Sequence, residues 1–426
     1  MTSTPWGDAT QLRTRRLRPG PGADPVAVTR NQRERMYAAM VAAVNENSYE
    51  ATRVADVVKL SGVSRSAFYK HFEDKLDCFL ATLDGIAAFA HERLAEAYDA
   101  ALPWEDRLHA AAATFLNLVL EQPAAARLCL VEVYAAGPQA VRRLDEAVLA
   151  AEAAVAAAFE ESPERSGMPR DVVRAIVGGI LKTVHTRLRR GEETELIQEL
   201  PQLVEWALSY HTPTTKLRRP RRRPDRGAAP SPDPAVARER LVTAITATIA
   251  ERGYPDTTIV EIAERASASL STFYGNFENK EEALLRALDR ERELGLIVFR
   301  SAYEAESDWP SATRAGLDAL FGFLAADQAG ARVAVVDVFT AGPKALEAGD
   351  EAIQAFRDFL APGLELAPDR PPLTTEVVGN AVYALVYGQI RQDRLQQLRE
   401  LTPTAAYVQL APFIGAAAAS AAANAA

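Results

Sequence analysis

A chain of 426 residues with 48% hydrophobic and 25% charged side chains has the makeup of a globular protein, with room for roughly two to four domains. Abundant alanine, scarce Trp and Met, and the lack of long β-branched alternation favour helices over sheet. Two cysteines, Cys78 and Cys129, in no paired or CxxC spacing exclude a disulfide framework and a thiolate metal site, and read as small buried hydrophobes.

No window reads as a run of the about 18–20 apolar residues needed to cross a bilayer, and the first twenty residues lack the apolar stretch of a signal peptide. A reducing cytoplasm is the expected setting. The net charge of −9 is unevenly spread. Residues 1–29 and 30–75 each carry +2, residues 212–234 carry +5, residues 235–280 carry −1, and the remainder carries −17. A phosphate footprint depends on local charge, so the acidic total does not exclude nucleic acid.

The chain repeats itself at a shift of 205 residues. Over 33–84 against 238–289, 18 of 52 positions are identical, and the same shift pairs Trp104 with Trp309 and VEVYAAGPQA (131–140) with VDVFTAGPKA (336–345). It also pairs Leu12, Arg13, Arg16 and Arg18 with Leu217, Arg218, Arg221 and Arg223. Near the end of each copy the register slips by about four, so that VGGIL (177–181) faces VGNAV (378–382). Residues 212–234 are rich in Pro and Arg with few large apolar side chains, which predicts an extended linker. Residues 1–29 predict a shorter, disordered basic arm of the same kind. The expected organisation is an arm (1–29), a reader (30–77), a helical body (78–211), a linker (212–234), a second reader (235–282) and a second helical body (283–426).

In the first reader, Met36, Met40, Val41 and Val44 recur at helical spacing and predict a first helix of about 15 residues. A short second helix runs over 54–60, Ser61-Gly62-Val63 makes a tight turn, and Ser64 caps a third helix over 65–72. Phe68 and Phe72, four apart, face inward, which throws Arg65, Ser66, Tyr69 and Lys70 outward. Asp74 caps a fourth helix that opens at Lys75. This is the pattern of a helix-turn-helix whose third helix enters the DNA major groove.

The segments GVSRSAFYKHFEDK and ASLSTFYGNFENK closely resemble the recognition region of the TetR/AcrR family, and the [FL]-Y-x-x-F-x-x-K core occurs twice at one offset. The resemblance covers both bodies and implies an all-α architecture of two tandem TetR-like units. It implies base contacts for Arg65, Ser66 and Ala67 and backbone contacts for Tyr69, Lys70, His71 and Lys75. In the second reader, Leu270, Ser271 and Thr272 take the base positions, with Tyr274, Asn276 and Lys280 on the backbone. Arg grips guanine bidentately and Thr touches a thymine methyl, so the residue types suit the task. The second reader departs from the first at Ser267, Leu270, Gly275 and Asn276, which replace Gly62, Arg65, Lys70 and His71. The Arg-rich linker upstream is placed to supply the missing cationic contacts, as basic arms do.

The remaining Ala-rich segments, broken at Pro103, Pro123, Gly137-Pro138 and Pro163, are expected by the same resemblance to hold a small-molecule pocket and dimerising helices. Candidate pocket residues are His109, Phe115, Cys129 and Tyr134 in the first copy, and Phe321, Phe323, Phe339 and Tyr387 in the second. The closing helices are predicted near 170–190, 195–210, 373–393 and 395–415, with Gly178-Gly179 and Gly379 allowing close approach. Such helices form a four-helix bundle between two chains in the family; here one chain carries all four, joined by a linker that reaches ~75 Å when extended. The expected partners are an operator duplex and a small-molecule effector, with no cofactor and no metal. No HExxH, GxSxG or GxxxxGK[ST] motif is present, which argues against an enzyme. The competing reading is a helical interaction module whose second DNA-binding head is vestigial.

Overall fold

A computed structural model describes residues 2–17, 24–218 and 237–425. Among them every regular element is helical. The first repeat contains α1 (Pro25–Ala51), α2 (Val54–Ser61), α3 (Arg65–His71), α4 (Lys75–Ala97), α5 (Trp104–Glu121), α6 (Pro123–Arg127), α7 (Pro138–Glu160), α8 (Arg170–Arg190) and α9 (Leu196–Leu208). The second contains α10 (Ala237–Arg252), α11 (Ile259–Arg265), α12 (Leu270–Tyr274), α13 (Lys280–Tyr303), α14 (Trp309–Ala326), α15 (Gln328–Val335), α16 (Pro343–Gln354), α17 (Ala361–Leu366), α18 (Leu373–Arg391) and α19 (Thr402–Ala423).

The chain divides into two compact units, one of Met1–Ala158 with Val184–Val204, the other of Phe159–Thr183 with Glu205–Ala426. The division does not follow the repeat boundary. The second unit holds the body of repeat two together with closing segments of repeat one.

In the first unit, the inward residues Met36, Met40, Val41, Val57, Phe68, Phe72, Cys78 and Phe79 form one core. α1 opens earlier than its periodicity suggested, because Asp24 accepts from the Val26 amide and Pro25 sits at the first helical position. The turn after α2 needs a left-handed residue, which Gly62 supplies at φ +64° while its amide donates to the Val58 carbonyl at 3.1 Å. Ser64 Oγ accepts from the Ala67 amide at 3.1 Å, and Asp74 Oδ1 from the Asp77 amide at 2.8 Å.

The expected disordered arm is folded over residues 2–17. Leu12 is 1% exposed and lies within the core of the reader. The Trp6 ring lies 5.0 Å from that of Tyr37, tilted by 47°, and a Cβ added to Gly85 would come within 2.7 Å of the Trp6 ring. Asn31 fastens the arm's exit, its Nδ2 donating to the Arg15 carbonyl at 3.1 Å and its Oδ1 accepting from the Leu17 amide at 3.1 Å. One tryptophan and one leucine outweigh the charge and proline that made the segment look unstructured. Arg18 lies outside the described residues.

In the second unit, residues 212–218, expected to be linker, run along the end of α19. The Thr214 amide donates to Ser420 Oγ at 3.1 Å and the Arg218 amide to Asn424 Oδ1 at 2.7 Å. The rest of that linker, including Arg221 and Arg223, lies outside the described residues. The same unit packs α8 against α18 at small residues. A Cβ on Gly178 would stand 2.4 Å from the Ala384 Cβ, and one on Gly179 would stand 3.0 Å from Trp206 and 3.1 Å from the Ala381 Cβ. Tyr210 Oη donates to the Val408 carbonyl at 2.8 Å, and Tyr407 Oη donates to the His211 carbonyl.

One stretch does have the length and composition of a membrane span, contrary to the sequence reading: Leu395–Ala423. In the structure 61% of its most apolar window is buried within the protein, as expected of a core helix.

Leu12→Ala removes a fully buried side chain from the reader core. It is expected to cost about 2–4 kcal/mol, read as a lower urea midpoint at unchanged slope. A loss under about 0.5 kcal/mol would show that the arm does not belong to the core.

Candidate nucleic-acid interface

In α3 the two phenylalanines are turned into the core, Phe68 at 0% and Phe72 at 3% exposure, with their rings 5.5 Å apart. Helical spacing then sets Arg65, Ser66, Tyr69 and Lys70 on the exposed face, and Ala67 at its half-buried edge. Tyr69 is 48% exposed, and the Arg65 guanidinium lies 5.8 Å from its ring centroid. A planar five-donor group braced by an exposed phenol suits bidentate contact with a base edge or a phosphate.

α12 repeats the frame. Phe273 and Phe277 are buried with rings 5.6 Å apart, while Tyr274 and Leu270 are 57% and 45% exposed. Ser271 is exposed, and Ser269 Oγ lies 2.8 Å from the half-buried Thr272 hydroxyl. Ser267, in the position of Gly62, adopts φ +50° and carries backbone strain that glycine avoids. This second face is apolar and hydroxylated where the first is cationic.

Four residues expected to contact phosphate also hold partners within the protein. Lys75 Nζ donates to the Tyr49 carbonyl at 2.8 Å and lies 4.0 Å from the Tyr49 ring centroid. Lys280 repeats this, donating to the Tyr254 and Thr257 carbonyls at 2.7 and 2.8 Å, 4.1 Å from the Tyr254 ring. Burial draws both ammonium groups below the ordinary lysine pKa. Each lysine clamps the chain at or just after the end of its reader's first helix onto the fourth. His71 Nε2 lies 2.8 Å from Gln32 Oε1, and its pKa is lowered by burial and then by Arg33 and Lys70, which favours the neutral ring. Asn276 Nδ2 donates to the Thr272 carbonyl at 2.8 Å.

Two cations went unnoticed in the sequence. Exposed Arg33 lies 5.5 Å from the Phe72 ring, and Arg238, its counterpart at the 205-residue shift, lies 5.4 Å from Phe277. Each sits beside the end of its recognition helix. The signal was available, since RER stands unchanged at 33–35 and 238–240.

Each unit also contains an apolar cavity. That of the first has a volume of about 370 Å³ and is lined by Pro5, Phe89, Phe115, Cys129, Leu130 and Leu144, with the Arg143–Asp84 pair (3.0 Å) also in its wall. Burial pushes the Cys129 thiol up to about 12 and the Cys78 thiol higher still, so both stay protonated. The second cavity is about 150 Å³, and Phe299, Phe321, Phe323, Phe356 and Tyr383 contribute to its walls. Of the pocket candidates, Phe115 and Cys129 line the first of these cavities and Phe321 and Phe323 the second. The other four candidates do not line these cavities. His109 is exposed, its Nδ1 2.9 Å from the Glu105 carbonyl oxygen. Tyr134 packs on the reader core and the His185 ring, and Phe339 and Tyr387 pack on each other at 5.7 Å.

The family model for bacterial regulatory proteins of the tetR family matches at two places, residues 38–82 and 241–288. No curated protein matches by sequence. Among solved structures, the fatty acid degradation regulator FadR from Bacillus halodurans is similar at 19% identity and TM-score 0.37, covering 43% of this chain and 97% of its own. FadR from Bacillus subtilis, solved with stearoyl-CoA, is similar at 16% identity and TM-score 0.36, covering 41% and 97%. A TetR family regulator from Marinobacter aquaeolei VT8 is similar at 18% and 0.35, covering 41% and 93%.

Lys75→Ala is expected to cost about 1–3 kcal/mol of stability by urea melt, through loss of a charged donor to buried carbonyls. Measured on folded protein, it should leave the salt dependence of DNA binding unchanged. A slope smaller by about one would return this ammonium to the phosphates.

Proposed function

Because the chain belongs to the TetR family of bacterial regulators and carries the DNA-binding domain of that family twice, we propose that it is a repressor that reads one operator with two unlike heads. The observation that carries this reading is the duplicated recognition frame. Two phenylalanine pairs are buried, two tyrosines are exposed, and the base-facing positions between them differ. One head offers Arg65 and Ser66, the other Leu270 and Ser271, so the preferred half-sites differ in sequence.

The chain acts as a single-chain pseudo-dimer. Support comes from the second unit, where closing segments of repeat one pack on α18 and α19 in the place that a second chain takes in a homodimeric bundle. The effector is a small apolar molecule. The roughly 370 Å³ cavity of the first unit lies within the about 300–1,000 Å³ usual for ligand sites, and α4 contributes both to its wall and to the reader core. Filling it shifts α4 and lowers operator affinity.

Selection of bound sequences from a random duplex pool by the full chain tests the two-headed reading. Two unlike half-sites about one helical turn apart are expected. A palindromic site would mean one head per chain and a homodimer, and no enrichment at moderate salt would favour the interaction-module alternative.

Substitutions separate the roles on the selected operator. Arg65→Ala is expected to cost about 1–3 kcal/mol of binding and to relax preference at one base pair. Lys70→Ala should weaken all sequences alike and lower the salt slope by about one. If both variants lose affinity uniformly across sequences, Arg65 does not read a base.

A further inference from the structure

The contact of α8 with α16 and α18 contains pairs that two like repeats do not fully reproduce. Lys182 Nζ lies 2.7 Å from Asp350 Oδ1, the two side chains only 10% and 5% exposed. The same ammonium stands 5.6 Å from the Phe339 ring centroid and 5.4 Å from that of Tyr383. Buried Asn380 donates through Nδ2 to Thr183 Oγ1 at 3.0 Å. Gly178 receives Ala384 so closely that its own Cβ would stand 2.4 Å from that of the alanine.

Aligning VGGILKT (177–183) with VGNAVYA (378–384) shows what each partner becomes in a like pairing. Lys182 corresponds to Tyr383, Gly179 to Asn380 and Thr183 to Ala384. Where repeat one faces a copy of itself, the ring beside Lys182 becomes a second Lys182, which sets two ammonium groups side by side, although Asp145, the counterpart of Asp350 at the 205-residue shift, keeps a carboxylate for each. Thr183 then replaces Ala384 against Gly178 and adds two heavy atoms at the tightest point. Where repeat two faces a copy of itself, Asn380 meets Ala384 and loses its acceptor. Asp350 then meets Tyr383 and loses the ammonium.

We propose that this interface is heterospecific: the closing helices of repeat one accept those of repeat two and reject a second copy of themselves. The Lys182–Tyr383 and Asn380–Thr183 contacts form only in the mixed pairing, and specificity arises as much from the defects of the wrong pairs as from the fit of the right one. The inference rests on the single-chain pseudo-dimer reading and adds to it a rule of partner choice.

The test uses the full chain with a protease site inserted in the linker after Arg226. Uncut protein should show the mass of one chain. After cleavage, mixing with an isotopically heavy copy and native mass spectrometry should find particles holding one of each half, and none holding two of the same half. Tyr383→Lys recreates the like-charge contact and should weaken the cut particle at least tenfold, while Tyr383→Phe leaves it intact. A doubled mass before cleavage overturns the single-chain reading and this inference with it. A single mass followed by like-with-like particles, or a Tyr383→Lys particle as tight as the parent, overturns this inference alone.

Discussion

Two phenylalanines one helical turn apart, buried against the first helix, fix everything the reader presents. With Phe68 and Phe72 in the core, the rotation of α3 is set, and so is the direction of each polar side chain on it. The helix is only Arg65–His71, too short to hold itself in water. Its order is borrowed from the core, from the Ser64 cap at one end and from the α4 cap at the other. The second reader keeps this scaffold through Phe273 and Phe277 while its outward face changes. Divergence of the recognition face at constant frame is what duplication permits once the packing residues are held.

Much of this was legible from residue spacing. The helix-turn-helix could be placed because phenylalanine, serine and glycine each occupy a position only they suit: an inward face, a cap and a left-handed turn. The closing helices were legible for the same reason, through their paired glycines. What residue spacing did not show was the internal partners of the polar ends. Lys75, Lys280, His71 and Asn276 carry groups suited to phosphate, and their types give no warning that a carbonyl or an amide side chain lies nearer. Those partners are set by three-dimensional packing of a loop 26 residues distant in the case of Lys75 and Tyr49. The arm was misread because its average composition hides two anchors, Trp6 and Leu12, among charges.

The two heads differ in how they are maintained as well as in what they display. The first spends a glycine at its left-handed turn and braces it with the Arg13 side chain from the arm, whose Cγ would lie 3.1 Å from a Cβ on Gly62. The second tolerates a serine at φ +50°. Strain of this kind belongs to the class that persists only where surrounding structure holds it, and here the holding core is that of α10, α11 and α12.

On the single-chain reading proposed above, the packing of repeat one's closing segment against α18 also has a concentration consequence. A regulator assembled from two chains loses its two-headed form on dilution, so its operator occupancy falls with the square of its concentration. A chain that carries both halves of its own bundle holds the second head at a fixed local concentration set by its tether. Occupancy then varies with the first power of copy number, and a few molecules per cell remain competent.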